Sequence, residues 1–154
     1  QYYQDWDSGY SKQQSTRPQT LGYGLVDSPA GQAAWIIEKF WAWMDCDGNP
    51  ENILSKDELL DNVMVYWLNA AGASSARIYW ESFGSAFAGQ IIDTPMGGTI
   101  FPKEIFRTSR RFAEKMYTNI VYWEEKDAGG HFAAFEQPDV YVGEVRNCFR
   151  QIAL

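Results

Sequence analysis

The sequence predicts an α/β chain in two parts: a helical region up to about residue 88, then a strand, helix, strand, helix order whose mostly parallel sheet is incomplete within the 154 residues. Two observations predict this. Three consecutive stretches before residue 88 carry apolar residues at helical spacing with no strand between them, and the two apolar runs beyond it are short and strand-like. Two parallel strands joined by a right-handed crossover leave most of their edges and faces uncovered, so such a sheet needs further strands.

Residues 1–27 are rich in Gln, Ser, Thr, Gly and Tyr without a sustained period, and read as irregular structure with a short helix near residues 8–14. Ser28-Pro29 starts a strong helix, because Ser is a good N-cap and Pro fits the first helical position. Ala33, Ile36, Ile37, Phe40, Trp41 and Met44 then recur along one face, and the helix should stop near Asp45, before Cys46-Asp-Gly-Asn-Pro50. The next helix begins at Ser55. Glu58 completes a capping box, Leu54 and Leu59 are spaced as a hydrophobic staple, and Leu59, Leu60, Val63, Met64, Trp67 and Leu68 form the expected buried stripe. A third helix carries Ala76, Tyr79, Trp80 and Phe83 on one side. Beyond residue 88, a strand is expected at 95–101 and a helix at 109–117. The continuous Ile-Val-Tyr-Trp predicts a strand at 119–124 buried on both faces. Pro138 opens a last helix with Val142, Val145, Phe149 and Ile152 facing inward.

Composition narrows the function. With 45% hydrophobic and 21% charged residues the chain has the balance of an ordinary globular domain. A net charge of -7 argues against a nucleic-acid or anionic-membrane partner, and the basic cluster from Arg107 to Arg111 reads as one solvated helix face. Seven Trp and 16% aromatic content point to large-area core packing, an apolar pocket, or both. Cys46 and Cys148 match neither a disulfide framework nor a zinc spacing, so both are expected reduced and structural, in a cytoplasmic setting. The first residues do not read as a signal peptide, and no apolar run approaches the length of a membrane span.

The histidine draws the eye to Asp127-Ala-Gly-Gly-His-Phe-Ala-Ala-Phe-Glu-Gln-Pro138. His131 is the single histidine of the chain, set behind two glycines and just after a strand-like run. Paired glycines let the backbone turn sharply, and an imidazole titrates near neutrality, which suits proton transfer; a loop histidine bonding its neighbours is the bland alternative. Glu104 follows the first predicted strand as His131 follows the second, which would set both at the carboxyl edge of a sheet, where ligands bind in open α/β folds. An acid followed by a histidine is also the back half of an α/β-hydrolase triad, although no Gly-x-Ser-x-Gly or Gly-x-Asp-x-Gly elbow occurs here.

Nearly the whole chain resembles the epoxide hydrolases of the microsomal type, which have the α/β-hydrolase fold. The resemblance is carried by Asp7-Ser-Gly-Tyr10, Ser15-Thr-Arg-Pro-Gln-Thr20, Asp27-Ser-Pro-Ala-Gly31, Glu38-Lys-Phe40, Asp61-Asn-Val-Met-Val-Tyr-Trp67, Ser74-Ser-Ala-Arg-Ile-Tyr79, Phe101-Pro-Lys-Glu104 and Gly129-Gly-His-Phe-Ala-Ala-Phe-Glu-Gln-Pro138. It implies that residues 1–88 are a mainly helical lid and that 89–154 are the C-terminal part of the hydrolase core. It further implies a nucleophilic aspartate that forms an ester with the epoxide, Tyr10 and Tyr79 activating the epoxide oxygen, His131 as general base for water, and Glu104 as its orienting acid. A phenol with a pKa near 10 can donate as the ring opens yet stays neutral at working pH. Asp93 and Asp127 are neighbouring carboxylates that do not match the position of the acid, and Glu136 reads as a cap or surface residue.

The nucleophile and the strands before the lid would lie upstream of Gln1. A fragment is therefore expected, inactive by itself, whose partners are the missing N-terminal half, a small apolar epoxide and water; neither cofactor nor metal is implied. Enantioselectivity and oligomeric state, a homodimer included, stay open. Two other readings remain: a haloalkane dehalogenase-like hydrolase, against which the two matched tyrosines weigh, and a non-catalytic, aromatic-rich binding module.

Overall fold

The computed structural model describes residues 2–86 and 89–152. By its internal contacts the chain divides into two compact units, Gln1–Lys39 with Ser55–Ala88, and Phe40–Leu54 with Gly89–Leu154.

Among the described residues the regular elements of the first unit are all helical. A π-helical turn, Tyr3–Asp7, leads into α1 (Gly9–Thr16), and α2 (Pro18–Asp27) follows after one residue. The short helix expected near residues 8–14 is present as α1, and the rest of residues 2–27 is largely helical where irregular structure was expected. Their weak propensity is overridden by packing: α1 and α2 both lie against α5 (Gly72–Ala86), Leu25 is buried, and at Gly22 a Cβ would stand only 2.7 Å from the Cβ of Ala73. Helix α3 (Pro29–Trp43) starts as predicted, with Ser28 Oγ accepting from the Gly31 N–H at 3.0 Å, and runs on into the second unit.

Helix α4 (Lys56–Leu68) has the predicted capping box: the Glu58 N–H donates to Ser55 Oγ at 3.3 Å, and the Ser55 N–H donates back to Glu58 Oε2 at 2.8 Å. Its buried stripe is narrower than expected. Leu59 and Val63 are buried, whereas Leu60, Met64 and Leu68 are exposed. Trp41 on α3 and Trp80 on α5 also face outward, while Ala76 is wholly buried. The side chain of Phe83 lies outside the described residues.

In the second unit β1 (Met96–Ile100) pairs in parallel with β2 (Ile120–Glu125), each followed by a helix. The predicted helix at 109–117 shortens to α6 (Arg110–Ala113). No residue of β2 is fully buried, so the expectation of a strand covered on both faces fails for the reason the two-strand count gives: each strand has one neighbour here. Helix α7 (Ala133–Glu136) and helix α8 (Pro138–Ile152) close the unit. Val142, Val145, Phe149 and Ile152 are exposed on α8 rather than inward. The buried residue of α8 is Glu144, whose carboxylate accepts from Tyr122 Oη and pairs with Lys126 Nζ, both at 2.9 Å. Phe40, Trp43, Met44, Cys46, Leu54, Phe101, Ala113 and Ala133 make up the apolar core of this unit. Cys46 and Cys148 are free thiols, and among the described residues no helix is long and apolar enough to cross a membrane.

Candidate active site

Parallel pairing brings Glu104 and His131 together. Beyond β1 and β2 the ladder resumes as a single bridge between Lys103 and Gly130, with the Lys103 N–H donating to Gly129 O at 3.0 Å. Glu104 and His131 are the next residue on each side of that bridge. Their side chains meet: His131 Nδ1 lies 2.7 Å from Glu104 Oε1, with the imidazole 35% and the carboxylate 29% exposed. A carboxylate only accepts, so Nδ1 carries the proton and Nε2 is left as the basic nitrogen. That is the polarity a general base needs. Glu104 is fixed in turn by the Ile105 N–H, which donates to Oε1 at 2.7 Å.

The loop under the histidine is held along its backbone. Gly129 has φ +109°, open to glycine alone, and a Cβ there would stand 2.7 Å from the ring of Phe101. At Gly130 a Cβ would stand 2.7 Å from Trp43 O and 3.0 Å from Asp45 N, so this turn is packed against main chain. The Gly129 N–H donates to Asp45 Oδ2 at 3.0 Å, and the His131 N–H donates to Trp43 O at 3.1 Å. Glu136 is buried, not on the surface as its place near a helix start led one to expect. Its carboxylate accepts from the N–H groups of Asp45 (2.9 Å), Gly130 (2.5 Å) and Phe132 (2.8 Å). The Trp43 ring stands edge-on to the imidazole with centroids 5.0 Å apart, and Phe132 stacks on Phe40 at 4.4 Å. Asp45 pairs with Lys103 Nζ at 2.7 Å, and that contact, with the Gly129 N–H, holds its carboxyl below the usual carboxylate range.

Tyr10 and Tyr79 also meet, in the first unit. Tyr10 on α1 and Tyr79 on α5 have ring centroids 5.9 Å apart at 77°. Tyr3 Oη is 3.0 Å from Tyr10 Oη, and Lys39 Nζ sits 4.9 Å from the centre of the Tyr10 ring. Burial, then the hydrogen bond with Tyr3, pushes the Tyr10 hydroxyl far above the usual phenol value, so Tyr10 stays a neutral donor. Burial alone would lower the Lys39 ammonium; Asp7 and Glu38, each 3.0 Å away, more than reverse that and leave it raised.

Reasoning from sequence missed the supporting residues. Trp43, Asp45 and Glu136 are scattered over more than ninety residues and meet only in the folded chain. Tyr3 was missed as well, because residues before position 8 read as irregular structure with no spacing that pairs it with Tyr10.

No family model matches the chain. It is 58% identical over 94% of its length to a Stigmatella aurantiaca protein whose name places it with the epoxide hydrolases, and 36% identical over 91% to epoxide hydrolase 1 of Sus scrofa; it spans 33% of each. The crystal structure of juvenile hormone epoxide hydrolase from the silkworm Bombyx mori superposes with a TM-score of 0.84 at 33% identity, covering 94% of this chain and 40% of that one. The Aspergillus niger epoxide hydrolase structure gives 0.85 at 29% identity, covering 97% and 37%. The chain thus spans about a third of the curated relatives it matches. In sequence and in fold this chain is similar to epoxide hydrolases of the α/β-hydrolase fold, over about a third of their length.

Proposed function

We propose that the chain supplies the epoxide-holding and water-activating residues of a hydrolase that converts small apolar epoxides to vicinal diols. In this reading residues 1–88 contribute the lid and 89–154 the end of the core. The observation that carries it is the 2.7 Å contact between His131 Nδ1 and Glu104 Oε1, which leaves Nε2 basic.

A carboxylate on a segment upstream of residue 1 attacks one epoxide carbon; the ring C–O bond breaks and the oxygen takes a proton from the Tyr10–Tyr79 pair. This forms an alkyl ester and a phenolate. Water then adds to the ester carbonyl carbon while His131 Nε2 takes one of its protons, and Glu104 stabilises the imidazolium through Nδ1. Collapse of the tetrahedral intermediate releases the diol and the carboxylate. The proton held on His131 returns to the phenolate through solvent, so the sum is epoxide plus water to diol. Burial and the contact with Tyr3 keep the Tyr10 hydroxyl neutral, which supports its role as a hydrogen-bond donor to the epoxide oxygen while making it a weaker acid.

The test is diol formation from styrene oxide by the full-length polypeptide, by its Tyr10→Phe and Tyr79→Phe variants, and by residues 1–154 alone. Each single variant should slow ring opening by about 100- to 1000-fold, the worth of one positioned donor, and the 154-residue chain should be inactive. Unimpaired ring opening in both variants, or turnover by the isolated chain, would overturn the assignment.

A further inference from the structure

The histidine loop poses a problem in hydrogen-bond accounting. Gly129 and Gly130 are buried and Phe132 is half-buried, so their N–H groups need partners inside the protein. One carboxylate serves the residues on both sides of His131. Glu136 Oε2 accepts from Gly130, and Oε1 accepts from Phe132 at 2.8 Å. The Oε2 atom also accepts from the Asp45 N–H at 2.9 Å, two residues after Trp43, whose carbonyl accepts from His131 itself. Among the described residues every partner of this carboxylate is a backbone N–H. Three donors converging on two oxygens need a carboxylate: an amide of the same length keeps one acceptor and turns an NH2 group toward an N–H.

We propose that Glu136 is a positioning residue for the ester-hydrolysis step: it fixes the backbone on either side of His131 so that the imidazole keeps Nδ1 on Glu104 and Nε2 toward the reacting water. This rests on His131 being the base. Glu104 belongs to a different chain segment, and its single 2.7 Å contact cannot hold the imidazole if the loop carrying it shifts by an ångström. Misplacement on that scale costs a proton-transfer step about 100-fold. The nucleophilic step does not use His131, so Glu136 should matter to one step and not the other.

The experiment uses the full-length protein with ring-15N-labelled histidine, the His131 signals being those lost in His131→Gln, together with single-turnover kinetics on styrene oxide. Wild type should show the Nδ1–H tautomer. Glu136→Gln should show mixed tautomers, slow ester hydrolysis about 100-fold, and leave the rate of ester formation unchanged. Leu59→Ala, which opens a cavity in the other unit, should lower stability and leave both the tautomer and the ratio of the two steps as in wild type. If Glu136→Gln does not fold, Glu136→Asp, which keeps both oxygens on a shorter stem, should shift tautomer and hydrolysis in the same direction by less. An unchanged tautomer, or equal loss of both steps, overturns the positioning role. If His131→Gln itself hydrolyses the ester normally, the base assignment falls, and a tautomer shift in Glu136→Gln then still stands as a statement about the loop.

Discussion

The tyrosine pair and the histidine pair are held by different forces. Tyr10 and Tyr79 stand on helices and meet ring to ring, with a phenol contact from Tyr3 and an ammonium near the Tyr10 face, all of them side-chain interactions. His131 stands on a loop whose N–H groups end on two carboxylates and a carbonyl drawn from residues 43 to 45 and 136. A helix satisfies its own backbone, so its functional side chains need only packing. A loop must borrow acceptors, and each becomes part of the site. Substitutions near the tyrosines should therefore act locally, whereas substitutions under the histidine should cost stability and chemistry together.

The strongest way to break this contrast is a methyl group at Gly130. Its Cβ would meet Trp43 O at 2.7 Å and Asp45 N at 3.0 Å, main-chain atoms that cannot turn aside. Gly130→Ala should cost about 1–3 kcal/mol, a fall of about 2–4 °C in melting midpoint per kcal/mol, and should abolish the contact with Glu104. The same change at Gly24 on α2, where nothing lies within 4 Å, should instead raise the midpoint slightly, because alanine suits a helix interior better. Thermal melts of the two variants side by side check both signs.

A smaller effect concerns acid. The Asp45 carboxyl is held below its ordinary value, so its contribution is present above an unfolded pKa of about 4 and is lost as pH falls through the folded value. Wild type should therefore lose stability on acidification below about pH 4 more steeply than Asp45→Asn. Identical slopes for the two proteins, measured by denaturant unfolding across that range, would remove Asp45 from the account. The contact with Lys103 is the leading cause of that depression, and because the Lys103 side chain is exposed its share should shrink as salt is raised.

Much of the fold was legible because local signals agreed. Ser55 and Glu58 announced α4, Ser28-Pro29 announced α3, and the strand, helix, strand, helix order announced a parallel pair. The contact between Glu104 and His131 followed from the same logic, as residues one past a ladder partner on neighbouring strands. What failed did so for two physical reasons. Helix α2 is a weak former stabilised by packing on α5, which no local pattern records. The apolar rows of α4 and α8 were read as buried because apolar spacing shows which face seeks cover, not whether a chain spanning a third of its relatives supplies it. Glu136 eluded sequence reasoning because an acid near a helix start has an ordinary use there, and its real partners include a residue 91 positions away.

The central claim is that His131 acts on the ester and not on the epoxide. The most direct measurement is mass spectrometry of the full-length His131→Gln protein after exposure to styrene oxide. The account predicts one covalent adduct per chain, lying upstream of residue 1, with diol release slowed by about 100- to 10,000-fold, the worth of a positioned general base. Continued diol release at the wild-type rate with no adduct would contradict it.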